Sequence, residues 1–132
     1  MDRNEKLVRD MFANLFTAAS DYFNETSEFY IWGPGHPPAV GTEAMKKGFQ
    51  AVIAPLSDIN FEFHEFASIG DIVFSRRTDS FTVAGHRVEV GVVGYGVIGP
   101  DRKFSKWVDF FDLMPFDQFH LSPSVAGGVR KL

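Results

Sequence analysis

The sequence predicts an α+β domain in which helices cover one face of a curved, mainly antiparallel sheet. Three observations carry that expectation. Apolar residues recur at intervals of three and four in two early segments, they switch to strict alternation after Ser57, and Gly- and Pro-rich punctuation then cuts the chain into consecutive strands. The length of 132 residues suits one domain spanning 1–132 rather than two.

In residues 4–23, Leu7, Val8, Met11, Phe12, Leu15, Phe16, Ala19, Tyr22 and Phe23 mark one face of an amphipathic helix, which the turn-forming Asn-Glu-Thr-Ser run from Asn24 ends. A short apolar stretch over 28–32 runs into Gly33-Pro34-Gly35-His36-Pro37-Pro38, which excludes regular structure. Gly41-Thr42 supplies the start of a second helix, with Glu43 in its first turn, Met45, Phe49, Val52, Ile53 and Leu56 as its buried stripe, and Pro55 at its end. Ile59, Phe61 and Phe63 then alternate with Asn60, Glu62 and His64, as in a half-buried strand. Further strands over 72–83, 87–98 and 104–112 are separated by turns at Gly70-Asp71, Ala84-Gly85-His86 and Gly99-Pro100-Asp101. Residues 115–119 have room for one helical turn, and 119–132 reads as a loosely held tail. Such a sheet, folded around the helices, makes a cone open at one end, with a pocket inside and an outer face suited to a second subunit.

Composition narrows the function. The formal charge is -4 and no basic tract exceeds two residues, so nucleic acid and anionic membranes are excluded as partners. No apolar run approaches the roughly 18 residues of a membrane span. The charged start MDRNEK lacks the apolar core of a signal peptide, which points to a cytoplasmic address. With no cysteine there is no thiol nucleophile, thiolate ligand or disulfide, and the four histidines form no metal-binding spacing. Fifteen phenylalanines either fill a core or line an apolar pocket, and composition does not separate the two.

Strand parity singles out polar residues in apolar company. Arg77 and Asp79 share a face with Val73, Phe81 and Val83, about 6.6 Å apart along the strand, within reach of an Arg–carboxylate fork. Asp109 shares a face with Trp107 and Phe111, where a carboxylate needs a strong partner or a raised pKa. Two acids around one arginine suit concerted acid–base hydrolysis, one carboxylate activating water and the other donating a proton. The same three residues also suit a structural ion-pair network. Gly91, Gly94 and Gly96 precede no helix, so they relieve crowding or bend a strand rather than cradle phosphate.

The segments Phe74-Ser75-Arg76-Arg77-Thr78-Asp79 and Trp107-Val108-Asp109-Phe110-Phe111-Asp112-Leu113, with Tyr30 before Pro37-Pro38-Ala39-Val40-Gly41, resemble the limonene-1,2-epoxide hydrolase family. The likeness runs in order over about residues 7–119. It implies the cone-shaped fold of ketosteroid isomerases and nuclear transport factor 2 (the NTF2-like fold), a homodimer, and no metal or other cofactor. It further implies that Asp109 is the general base, Asp79 the general acid at the epoxide oxygen, Arg77 the bridge between them and Tyr30 a holder of the attacking water. A small apolar or terpenoid epoxide and water are then the substrates and a vicinal diol the product, in a pocket including Trp32, Trp107, Phe81 and Phe111. One position departs. Where the family places asparagine as a further water ligand, this chain has Trp32, which offers one N–H and no acceptor. An isomerase or polyketide-cyclase-type reaction, which places no water, is the second reading, and a non-catalytic binding domain for apolar ligands the third.

Overall fold

The computed structural model describes residues 2–15 and 17–123. Helix α1 (Arg3–Ala13) is followed by a 3₁₀ turn (Ala19–Asp21), strands β1 (Phe23–Tyr30) and β2 (Ala39–Val40), helix α2 (Thr42–Ile53), strands β3 (Ser57–Ile69), β4 (Ile72–Val83), β5 (His86–Ile98) and β6 (Phe104–Phe110), and a short α3 (Met114–Asp117). One mixed, curved six-stranded sheet runs in the order β2-β1-β6-β5-β4-β3. The four long strands form the expected antiparallel meander, and β1 joins β6 in parallel. The α+β architecture matches a cone of sheet closed on one side by helices. No helix among the described residues is long and apolar enough to cross a membrane.

The first helix is shorter than its apolar periodicity predicts. The Asn14 side-chain amide donates to the Asp10 carbonyl, as does the Asn14 backbone N–H, and the helix stops at Ala13. A local side-chain bond of this kind competes with helix propagation. Phe16 lies outside the described residues, and Phe23 belongs to β1, where it pairs with Phe104. The turn signal after Asn24 is genuine, yet it bends a strand instead of separating elements. Asn24 Oδ1 accepts from the Thr26 N–H, Ser27 Oγ donates to the Phe104 carbonyl, and the β1–β6 register slips between Phe23 and Glu28.

Strand β2 was not anticipated; its two residues cap the β1 edge opposite Glu28 and Phe29. Gly41 is the N-cap of α2 at φ 83°, and a Cβ there would stand 3.0 Å from the Glu25 carbonyl oxygen. Thr42 gives no cap; its hydroxyl bonds the Glu25 carboxylate instead. Helix α2 ends at Ile53 with Ala54 as its C-cap, still in helical geometry, and Pro55 follows with no backbone N–H to carry the helix on. In β3 the register slips at His64, so Phe66 rather than Glu65 returns to the helix-covered face. His64 lies outside that face, its ring bonded to the Thr78 hydroxyl.

Two apolar clusters result. The larger joins α1 and α2 to the inner sheet face through Met11, Phe12, Met45, Phe49, Phe104 and Trp107. The smaller packs Phe81, Val83, Val90 and Val92 under Phe116 of α3. Of the tail from 119, Phe119 and Leu121 pack on this second cluster, while 124–132 lies outside the described residues.

Gly94 and Gly96 leave a slot on β5 that the Trp107 indole fills. A Cβ on Gly94 would meet Trp107 Cζ2 at 2.4 Å, and one on Gly96 would meet Cε3 at 2.7 Å. Trp107 is fully buried, so it has nowhere to retreat. Gly94→Ala is therefore expected to lower the free energy of unfolding by about 1–3 kcal/mol, the usual range for overpacking. Urea denaturation measures it, and an unchanged midpoint contradicts the slot. Gly91 has nothing within 4 Å and serves no such purpose.

Candidate active site

The alternation along β4 sends Arg77 and Asp79 inward, and the alternation along β6 does the same for Trp107 and Asp109. The two strands are not neighbours, because β5 runs between them. The long Arg77 side chain spans that gap. Its Nη1 donates to Asp109 Oδ1 at 2.9 Å and its Nη2 to Asp109 Oδ2 at 3.0 Å. Its Nε and Nη2 donate to the two oxygens of Asp79, at 2.7 and 3.0 Å. One guanidinium thus holds two carboxylates in bidentate fashion, the strongest geometry for such a pair.

Asp109 has one more donor, the Trp107 indole N–H, at 2.8 Å from Oδ1. The sequence reading placed Trp107 in the pocket wall; the structure places it beneath the site, in the core, where its N–H orients the carboxylate. That bond is a contact at the candidate site the sequence reading missed, although the i,i+2 spacing on one strand face was a visible signal for it.

The three charged residues form the polar end of a partly open cavity of about 90 Å³. The remaining lining is apolar, with Phe12 from α1, Leu15 from the turn after it, Phe49 and Val52 from α2, and Phe61 and Phe81 from the sheet. Phe111 also lines it, beside Phe81. Phe49, Val52 and Met45 are all read first as core; Phe49 is both core-forming and cavity-lining, Val52 is a half-buried wall of the cavity, and Met45 is core alone.

Tyr30 and Trp32 are not brought to the carboxylates. Phe29 and Ile31, on either side of Tyr30, line the cavity, and Tyr30 stands on the other face of β1, its ring 6.0 Å from Lys106 Nζ. Trp32 packs edge-on against Phe116 at 5.4 Å, in the second cluster rather than the cavity wall. His36 is absent from the lining too, and its ring nitrogens are buried without a partner rather than solvated. Tyr95 lies against Phe74 on the outer face. Among the described residues no three His, Asp or Glu side chains converge to hold a metal ion.

Burial pushes the Asp79 carboxyl above its ordinary range against the pull of Arg77, and the Asp109 charge adds to the rise. Burial also opposes the Arg77 charge, but the two carboxylates outweigh it and hold the guanidinium firmly protonated. Asp79 is therefore suited to carry a proton. A carboxyl whose pKa is higher folded than unfolded contributes stability that is fully present below the unfolded value, 3.8, and is lost as pH rises through the folded value. The stability of the wild type relative to Asp79→Asn is accordingly expected to be greater at pH 4 than at pH 7. Paired urea titrations check this, and a difference that is flat or grows with pH contradicts it.

No family model matches the sequence, and no curated protein matches it. Solved structures do match in shape. A candidate SnoaL-like polyketide cyclase from Shewanella putrefaciens superposes with a TM-score of 0.77 at 14% identity, over 92% of this chain and 99% of the other. An NTF2-like protein of unknown function from Burkholderia pseudomallei gives 0.77 at 12% identity, over 89% and 97%. An LEH-like epoxide hydrolase from M. tuberculosis gives 0.68 at 18% identity, over 88% and 86%. At these identities the likeness establishes the fold: this is the architecture shared by NTF2-like, SnoaL-like and ketosteroid isomerase-like proteins.

Proposed function

We propose that the chain is a cofactor-independent acid–base enzyme acting on a small, largely apolar substrate, with Asp109 as base, Asp79 as acid and Arg77 as the bridge that positions both. The observation that carries this reading is the pair of carboxylates clamped by one arginine at the polar end of an otherwise apolar cavity. Within that class the leading reaction is proton transfer inside the substrate, as in an isomerase or cyclase. Asp109 removes a proton from carbon or oxygen while Asp79 delivers one to the developing oxyanion. This reaction places no water, and it agrees with a site in which neither Tyr30 nor Trp32 faces the carboxylates.

Epoxide hydration is the second reading, favoured by the Asp79–Arg77–Asp109 hydrogen-bonded set itself and by the sequence resemblance. Here Asp109 deprotonates water, Asp79 protonates the epoxide oxygen, and ring strain supplies the driving force. A panel of terpene, cycloalkene and styrene-type epoxides in H₂¹⁸O, run beside a panel of unsaturated ketones, distinguishes the two. Diol carrying ¹⁸O supports hydration, and double-bond migration without ¹⁸O supports isomerisation. Turnover of neither panel moves the assignment to a binding domain.

We further place the protein in the cytoplasm as a homodimer formed through the outer sheet face. Phe74, Val93 and Phe110 are 38–46% exposed there on adjacent strands, Val93 directly opposite Phe110 and Phe74 opposite Tyr95 two residues along. Sedimentation is expected to give a dimer for the wild type and a monomer for Phe110→Glu. A monomeric wild type rules this out.

A further inference from the structure

We propose that this cavity selects ligands bearing a positive, hydrogen-bond-donating group at their inner end, small protonated alkyl and cycloalkyl amines being the class, and that it rejects carboxylates. The inference rests on the reading of the cavity as the ligand site, not on which reaction runs there.

The polar atoms within reach of a ligand are acceptors. Arg77 spends four N–H bonds on its two partners, its side chain is 3% exposed, and the Phe12 ring covers the guanidinium face at 4.4 Å. Asp79 and Asp109 are the more open members, at 17% and 10%. A ligand entering the chamber therefore meets carboxylate oxygens before it meets the guanidinium. An entering ammonium ion favours the form in which both acids are ionised and the set carries one net negative charge, and among the described residues no other charged side chain lines the cavity.

The walls agree with that sign. Six phenylalanine rings line the chamber, and ring faces attract cations through their quadrupole. An ammonium at the inner end gains a charge-assisted hydrogen bond to Asp79 and the field of the aromatic walls, while its hydrocarbon body is removed from water. Those gains oppose the dehydration of the ammonium group, which a partly open cavity leaves incomplete. An isosteric carboxylate meets no free donor and a like charge. A neutral acceptor such as a ketone or epoxide enters by a different route, through the protonated form of Asp79.

Calorimetric titration of the wild type near pH 7 with cyclopentylamine, cyclopentanol and cyclopentanecarboxylate tests this. The three share one ring and differ in the charge and donor character of the polar group. The ammonium form is expected to bind about tenfold more tightly than the alcohol. The carboxylate is expected to show no saturable binding. Asp79→Asn removes the net charge and is expected to erase the ammonium advantage; Asp109→Asn removes the same charge and replaces it if the first variant fails to fold. An ammonium no tighter than the alcohol, equal binding of the carboxylate, absence of saturable ammonium binding, or an advantage that survives both substitutions overturns the proposal. Because the readout is binding alone, loss of the acid–base reading in the turnover panels and loss of this selectivity are separate results.

Discussion

Replacing Arg77 with methionine is expected to destabilise the fold by about 3–5 kcal/mol near neutral pH, the range for removing one partner of a buried ion pair. The reason lies in what remains. Asp79, half-buried, and Asp109, buried, stay on the inner sheet face with no cation between them. Two unpaired carboxylates that close do not both ionise, so at least one takes a proton and the pair titrates upward. A second signature follows from that shift. With folded-state pKa values above the unfolded ones, the Arg77→Met protein regains stability as pH falls toward 4, the opposite of ordinary acid destabilisation. Urea denaturation at pH 7 and pH 4 measures both effects. A loss below about 1 kcal/mol at neutral pH, typical of an exposed pair, contradicts the clamp.

Asp109→Asn is expected to abolish most turnover on whichever panel the wild type accepts, by about 10²–10⁴-fold, the contribution usual for a positioned general base. The amide oxygen keeps the Trp107 N–H and one Arg77 N–H as donors, so the side chain remains anchored. Its NH₂ faces Arg77 Nη2, where the carboxylate had an acceptor, and one hydrogen bond is lost. Arg77 retains Asp79, so the fold keeps a neutral pair in place of the clamp. The stability cost is accordingly expected near 1–3 kcal/mol, well short of the Arg77→Met effect. Activity and unfolding measured on the same preparation separate the roles. Full turnover with a large stability loss marks Asp109 as purely structural; the reverse pattern marks it as the base.

Both expectations concern residues whose inward direction was legible before any coordinates. Alternation is a local property of extended backbone, and both β4 and β6 are regular where it matters, so parity put Arg77 with Asp79 on the apolar face of one strand and Asp109 between aromatic residues on the other. At β1 alternation makes no such assignment, and Tyr30 enters only through the family resemblance. There Asn24 and Ser27 bend the strand through side-chain bonds to the backbone, and the face of Tyr30 depends on where that bend is absorbed. His64 similarly shifts β3 by one residue, which is why Phe66 rather than Glu65 meets α1 and its neighbours. A one-residue slip reverses every side chain beyond it, and the slip is decided by pairing with another strand.

What the sequence by itself determined is the class of fold, the four-strand meander, the second helix and the inward set of one arginine and two aspartates. Each follows from spacing or turn chemistry within about a dozen residues. Only the tertiary structure decided the rest. Arg77 meets Asp109 because β5 lies between their strands with Gly94 opposite Asp109, leaving space that the Trp107 ring fills. Phe49 and Val52 border a cavity instead of only filling a core because α1, α2 and the curved sheet do not close completely over the charged set. Tyr30 and Trp32, promising in the linear order, are carried away from the site by a strand face and by packing on Phe116. Pairing order, bulges and incomplete closure depend on contacts between residues far apart in the chain, and no local periodicity encodes them.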